Sequence, residues 1–142
     1  MSEFLQKTDY NASIHAEILD SLIRSDESLI EICEDRAILE MTSELSTRYD
    51  CDKLFAARGK ERNQLVMMMA MDIAIYHMFS IHNPQKISAI RVERYKRAVE
   101  WLKAVRSGKT GIPDAPPANA DNPEANRTPY LMKSNPKRNN YR

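Results

Sequence analysis

RNQLVMMMAMDIAIYHMFSI, residues 62–81, is the stretch that decides the fold of this 142-residue chain. Apolar side chains occur on every side of it at helical spacing, so a helix formed here must be buried all round. Asp72 and His77 interrupt the run, and a charge at mid-bilayer is costly, so a membrane span is not expected. The stretch therefore predicts the central helix of an all-α domain. The side chains expected in the core are Met67, Met71, Ile75, Phe79, Tyr95, Trp101 and Leu102.

Three other segments have the periodicity of amphipathic helices, and they predict a small bundle of about four helices built around the buried central one. The first covers about residues 11–24 and the second covers residues 28–48. The last covers residues 85–107 and ends at Gly108, a residue suited to a helix C-terminus. Between the second and central helices lies a connector, residues 49–60, whose Leu54 and Phe55 are expected to pin it onto the core.

The two ends of the chain lack this periodicity. Residues 1–10 are predicted to form an arm, residues 11–108 the helical domain, and residues 109–142 a long extended tail. The tail contains six of the seven prolines, so alone it should be extended and largely disordered. It also carries a group of apolar residues between cations, which is typical of a peptide that docks onto a partner. The predicted docking residues are Arg127, Tyr130, Leu131, Met132, Lys133, Lys137, Arg138, Tyr141 and Arg142. An ordinary solvated tail is the alternative.

The net charge is only +1, but it is unevenly distributed. Up to Ser107 there are 15 Lys/Arg against 17 Asp/Glu, and beyond it 6 against 3. This distribution fits a basic interaction tail better than a DNA-reading domain. Opposite charges on two helices would suit a head-to-tail contact between identical subunits. The candidate residues are Glu34, Asp35, Glu40 and Glu44, which are predicted to form an acidic, solvated face of the second helix, and Arg91, Arg94 and Arg97 on the last.

Neither cofactor nor metal chemistry is expected. Cys33 and Cys51 are the only cysteines, and no signal-like run precedes them, so both are expected to be free thiols in a reducing compartment. Cys33 lies within an apolar stripe, where a packed core thiol is the favoured interpretation. The chain has no third cysteine and no histidine at zinc spacing, so it lacks the ligands that a zinc site needs.

Asp72 and His77 are the most suggestive titratable residues, because both lie in the predicted buried helix. In a functional interpretation they would be a proton-handling pair. In a structural one, an arginine of the last helix would pair with Asp72, and His77 would be a hydrogen-bonded core or interface histidine. We favour the structural interpretation, because buried charges need pairing and one acid does not make a catalytic site. The chain is therefore not expected to be an enzyme.

Three segments together resemble a known family. AILEMTSELSTRY, residues 37–49, resembles a helix that ends in Arg-Tyr, and MAMDIAIYHMF, residues 69–79, resembles the helix that follows it. RYKRAVEWLKAVRSGK, residues 94–109, resembles a last helix in which Tyr-x-x-Ala-x-x-Trp-Leu leads to a glycine. The order and spacing are those of the Mu-like phage and prophage neck proteins, which are related to the head–tail adaptor, or connector, proteins of tailed phages. The long tail departs from the family pattern.

The resemblance implies an all-α subunit without enzymatic activity. It implies a homo-oligomeric ring, commonly of about twelve copies, located beneath the portal in the neck of the virion, after assembly in the host cytoplasm. Such a ring extends the DNA channel, lets DNA pass without sequence-specific binding, and offers a platform to the next neck or tail protein. The acidic face of the second helix is a candidate lining of that channel. The tail would dock onto a neighbour, and no membrane is involved. The competing hypothesis is a soluble helical nucleic-acid-binding or regulatory module that acts through its basic last helix.

Overall fold

A computed structural model describes residues 3–23, 27–82, 85 and 87–118. In these residues the chain is helical and has no β-strand, which confirms the all-α prediction. Short 3-10 helices occupy Lys7–Ala12 and Gly59–Glu61. The α-helices are α1 (Ala16–Ile23), α2 (Glu27–Leu45), α3 (Cys51–Ala56), α4 (Gln64–His82) and α5 (Ala89–Ser107).

The central helix is α4, as predicted, and α1, α2 and α5 pack around it. Six of its side chains have no exposed surface: Val66, Ala70, Ile73, Ala74, Ile75 and Met78. By length and composition alone Gln64–Ile81 could cross a membrane, but 56% of that segment is buried inside the bundle. Because the core helix of a globular protein meets the same criterion, the burial supports the interpretation as a central core helix.

The two long neighbours of α4 each contribute one apolar stripe. On α2 the stripe consists of Ile30, Cys33, Ala37, Met41 and Leu45, all buried and three or four residues apart. On α5 the buried residues are Ala98, Leu102 and Val105. Of the predicted core, Met67, Met71, Ile75 and Leu102 are buried, while Phe79, Tyr95 and Trp101 are half-buried and pack against it.

The N-terminal residues differ from the predicted arm, because they are part of the core. Phe4 and Tyr10 are completely buried, and the ring of Phe4 meets the edge of Phe55 with centroids 5.1 Å apart. Arg62, just before α4, holds this segment. Its guanidinium donates to the carbonyl oxygen of Phe4 at 2.8 Å and to the carboxylate of Asp9 at 2.6 Å. The first α-helix accordingly starts only at residue 16.

The C-terminal residues differ in the same way. Gly108 ends α5 in the left-handed conformation, at φ 87°, as its sequence position predicts. The chain then turns back over the bundle instead of leaving it, and Ile112 is 5% exposed. Asp50 and Ala118 complete the attachment: the amide of Asp50 donates to the carbonyl of residue 116 at 2.9 Å, and the amide of Ala118 to the carbonyl of residue 48 at 3.0 Å. The predicted extended tail is therefore packed through residue 118.

The connector contains a short helix that sequence periodicity did not predict. Asp50 begins α3, where its carboxylate accepts a hydrogen bond from the amide of Lys53 at 3.2 Å. Leu54 is 4% exposed and Phe55 is half-buried against Phe4. Both side chains pin the connector onto the core, as predicted.

Candidate interaction surfaces

Asp72 is buried on α4, and an arginine of α5 neutralises it. Arg97 Nη2 donates to Asp72 Oδ2 at 2.5 Å, and the carboxylate side chain is only 3% exposed. This is the partner predicted from the sequence. A single paired carboxylate offers no second reactive group, so the geometry supports the structural interpretation of Asp72.

His77 belongs to a polar cluster that joins α2, α4 and α5. Glu40 is its centre: one carboxylate oxygen lies 3.2 Å from His77 Nε2, and the other accepts a hydrogen bond from the Tyr95 hydroxyl at 3.1 Å. The ring of Tyr76 stacks on that of Tyr95 with centroids 4.0 Å apart. Burial and the nearby carboxylate raise the pKa of Tyr95 to about 12. His77 is thus a hydrogen-bonded, half-buried histidine, and the cluster ties three helices together.

Glu34 is a buried carboxylate that the sequence placed on a solvated face, and that placement is wrong. It is 4% exposed and accepts a hydrogen bond from the Tyr10 hydroxyl at 2.7 Å. Burial raises the pKa of Glu34 to about 7, and burial together with this carboxylate raises the pKa of Tyr10. The error has a physical reason, because the residue that covers Glu34 is 24 positions away in a segment without periodicity.

The cysteines are packed thiols. Both are free and buried, and burial raises the pKa of Cys33 to about 11 and raises that of Cys51 as well. A thiol with a raised pKa is a poor nucleophile, so the structure confirms the core-thiol interpretation of Cys33. Among the residues that the structure describes, no group of three His, Cys, Asp or Glu side chains could hold a metal ion.

The Arg-Tyr pair at the end of α2 forms a clasp for the segment after α5. Arg48 Nη1 donates to the carbonyl of Val105 at 2.7 Å and to the carbonyl of Thr110 at 2.9 Å. The Tyr49 hydroxyl accepts a hydrogen bond from the amide of Ile112 at 2.8 Å. These contacts give a physical reason for the Arg-Tyr pair, which lies three residues beyond the end of α2.

Gly111, three residues after Gly108, also lies close to this clasp. A Cβ atom at Gly111 would lie 3.1 Å from the Tyr49 hydroxyl oxygen, closer than most Cβ contacts. Gly111 therefore lets the returning chain pass close to Tyr49.

The charged residues predicted for subunit contacts are largely engaged within one chain. Besides Glu34 and Glu40, Glu44 lies 3.5 Å from Arg106 on α5. Among the arginines, Arg97 pairs with Asp72, and Arg91 donates to the carbonyl of residue 13 at 2.5 Å. Asp35 is exposed and Arg94 is half-buried. Several of the charged residues of α2 and α5 thus bind partners within the same bundle. The assignment of these residues to a subunit contact or a channel lining stays a prediction.

The residues predicted to dock onto a partner, Arg127 to Arg142, lie outside the described residues. The described residues do offer apolar side chains to a partner. Leu39 is 71% exposed on α2 and Ile90 is 63% exposed on α5, while Ile18, Ile32, Met68 and Ile81 are 37–46% exposed. Leu39 and its neighbour Ile38 belong to a shallow groove of about 350 Å³ between α2 and α3. This groove was not anticipated from the sequence, because it exists only once α3 has folded against α2.

Comparison with known protein families identifies a match. A protein-family model described as "Bacteriophage Mu, Gp36" matches residues 3–129, which is most of the chain. Neither the curated proteins nor the solved structures contain a significant match. The matched range includes the N-terminal residues that pack into the core and the returning segment held by Arg48 and Tyr49.

Proposed function

This chain belongs to the Bacteriophage Mu Gp36 family, and from that premise we propose that it is a head–tail adaptor subunit. In this proposal, identical copies form a ring beneath the portal, the ring extends the DNA channel, and the chain's C-terminal residues dock onto a neighbour. The match over residues 3–129 is the observation that carries the proposal, because the family is one of phage proteins and the matched range includes the whole helical bundle.

The chemistry of the described residues supports a role in assembly and not in catalysis. Asp72 is neutralised by Arg97, and Glu40 is shared between His77 and Tyr95. Each buried or half-buried polar group in these two clusters is engaged in holding helices together. In a catalytic site, by contrast, reactive groups converge on a cavity that can hold a substrate.

The outer surface supports binding to other proteins. Leu39 and Ile90 expose most of their side chains on two different helices. A subunit of a ring needs two different contact surfaces, because a head-to-tail interface joins unlike patches on neighbouring copies. Exposed leucine and isoleucine on separate faces meet that requirement.

The basic face of α5 supports DNA passage more than DNA capture. Two of its arginines, Arg91 and Arg97, already donate to partners within the chain. Tight binding of DNA draws its strength from many cations that meet phosphates directly. A channel through which a genome slides needs weak phosphate contacts, so partly engaged arginines are compatible with the adaptor role.

The test is imaging of the purified protein alone and mixed with the cognate portal, by negative-stain electron microscopy and mass photometry. We expect closed rings that join the portal coaxially. A chain ending at Ala118 keeps every described contact of the bundle, so it should melt like the full chain yet bind the portal or its ring neighbours more weakly. Ending the chain at Gly111 would be a poor choice, because it removes Ile112 from the core. A protein that stays monomeric with portal present would overturn the proposal.

A further inference from the structure

The groove between α2 and α3 is lined by both apolar and charged side chains. Ile38, Leu39, Cys51 and Phe55 form its apolar part, here called the floor. At 71% exposure, Leu39 is the most exposed large hydrophobic side chain among the described residues. Burying one such leucine in a contact is favourable, so this groove suits an apolar anchor of a peptide.

The rim of the groove is acidic. Glu3, Asp35 and Asp52 contribute three carboxylates, and Arg58 contributes a cation. Arg58 Nη2 lies 4.0 Å from a carboxylate oxygen of Glu3, and its Nη1 donates to the carbonyls of residues 55, 56 and 57 at 2.9–3.1 Å, so one cation stands against three carboxylates and the rim stays acidic. An occupant that carries cations on either side of apolar residues would therefore match both the floor and the rim.

The chain's own C-terminal residues have this composition. Residues 127–142 include five Lys/Arg and no Asp/Glu, with Tyr130, Leu131 and Met132 in sequence between Arg127 and Lys133. The chain also leaves the described region beside the groove. The amide of Ala118 bonds to the carbonyl of Arg48, and the carbonyl of residue 116 bonds to the amide of Asp50, the residue that precedes α3.

We propose that the groove between α2 and α3 binds the Arg127–Arg142 segment of this chain, with Tyr130–Met132 over Leu39 and the flanking cations against the acidic rim. From residue 118 to residue 130 an extended chain spans up to about 40 Å, so the segment of the same copy or of an adjacent copy reaches the groove. The role of this segment as a docking peptide rests on the proposed function. The inference adds the surface to which the segment binds.

The experiment places a photoreactive p-benzoylphenylalanine at position 130 of the full chain, which keeps an aromatic ring there. After irradiation, peptide mass spectrometry locates the cross-link. We expect it within residues 35–42 or 51–58. Leu39→Arg should reduce the yield about tenfold, the factor expected when one leucine side chain is no longer buried. The control Glu100→Arg introduces the same side chain at an exposed position of α5, outside the groove and the proposed contact residues, and should leave the yield unchanged.

Thermal melting confirms that each variant folds, and a second variant, Asp52→Lys, tests the rim by lowering the yield without touching the floor. Cross-links confined to other surfaces, or a yield that Leu39→Arg does not change, would overturn the inference. Electrophoresis separates cross-links within one chain from those between copies. Both support the groove as the binding site, and only those between copies fit docking onto a neighbour. Ring formation is scored separately by mass photometry. A groove cross-link in a protein that forms no ring would refute the adaptor proposal alone, and rings without a groove cross-link would refute this inference alone.

Discussion

Replacing Glu34 by glutamine should make the bundle more stable at pH 8 and remove a pH dependence of its stability. The buried carboxyl has a pKa raised from 4.5 to about 7. The folded state therefore holds a proton that the unfolded state releases between those values. Stability must fall as the pH rises from about 5 to about 7, and it levels off above the folded pKa. The glutamine side chain would keep an oxygen that accepts a hydrogen bond from the Tyr10 hydroxyl, but it would carry no charge.

The magnitude follows from the two pKa values. A tenfold difference in proton affinity is worth about 1.4 kcal/mol, so burying ionised Glu34 costs roughly 3 kcal/mol above pH 7. Between pH 5 and pH 8 the advantage of Glu34→Gln over the natural chain should grow by roughly 2 to 3 kcal/mol. For a folded region of this size that is on the order of 10 °C in melting temperature.

The assay is urea unfolding followed by circular dichroism at pH 5, 6, 7 and 8, with melting curves at the same pH values. Glu100→Gln is the matched control, because it makes the same chemical change at an exposed position of α5. Its stability difference from the natural chain should stay nearly constant with pH. If the Glu34→Gln difference were also constant from pH 5 to pH 8, the buried, proton-binding state assigned to Glu34 would be refuted.

Three further predictions concern the ties between elements. Arg48→Ala removes two hydrogen bonds that a charged group donates, so it should lower the free energy of unfolding by about 1–3 kcal/mol. It should also expose residues 109–118 to proteolysis. The control Tyr95→Phe should leave that cleavage unchanged. Asp72→Asn should lower the free energy of unfolding, measured with urea, by only about 1–2 kcal/mol, because water partly screens the half-exposed Arg97. Ring formation should persist. Loss of assembly in a folded Asp72→Asn protein would contradict the structural role of Asp72. The Cys33 thiol, which has no exposed surface, should react with a disulfide reagent only as fast as the protein unfolds, and immediate modification of Cys33 in the native protein would contradict its burial.

The sequence predicted the elements whose packing is periodic. The stripe from Ile30 to Leu45 on α2 and the all-round apolar surface of α4 are local patterns, so the period alone identifies the buried side. Even the partner of Asp72 could be anticipated, because a buried carboxylate needs a cation and the last helix is rich in arginine.

Isolated residues that pack over long sequence distances could not be anticipated. Phe4, Tyr10 and Ile112 are single apolar residues in segments without a period, and only the folded bundle shows the cavities that they fill. The misplacement of Glu34 follows directly, since its burial depends on Tyr10. The α2–α3 groove was missed for the same reason, because its two sides come from elements that the sequence does not show to be in contact.

The positions at which the terminal segments are tied give the bundle a definite polarity. Arg62 holds residues 4 and 9, while its neighbour Asn63 donates to the carbonyl of residue 113 at 2.6 Å, so both segments meet the first residues of α4. In a closed ring all copies have the same orientation about the axis. Their C-terminal extensions would then emerge on a common side, leaving the ring with two chemically unlike rims. An affinity tag at the N-terminus would crowd that same rim, so a label intended to leave assembly undisturbed belongs at the far end of the helices.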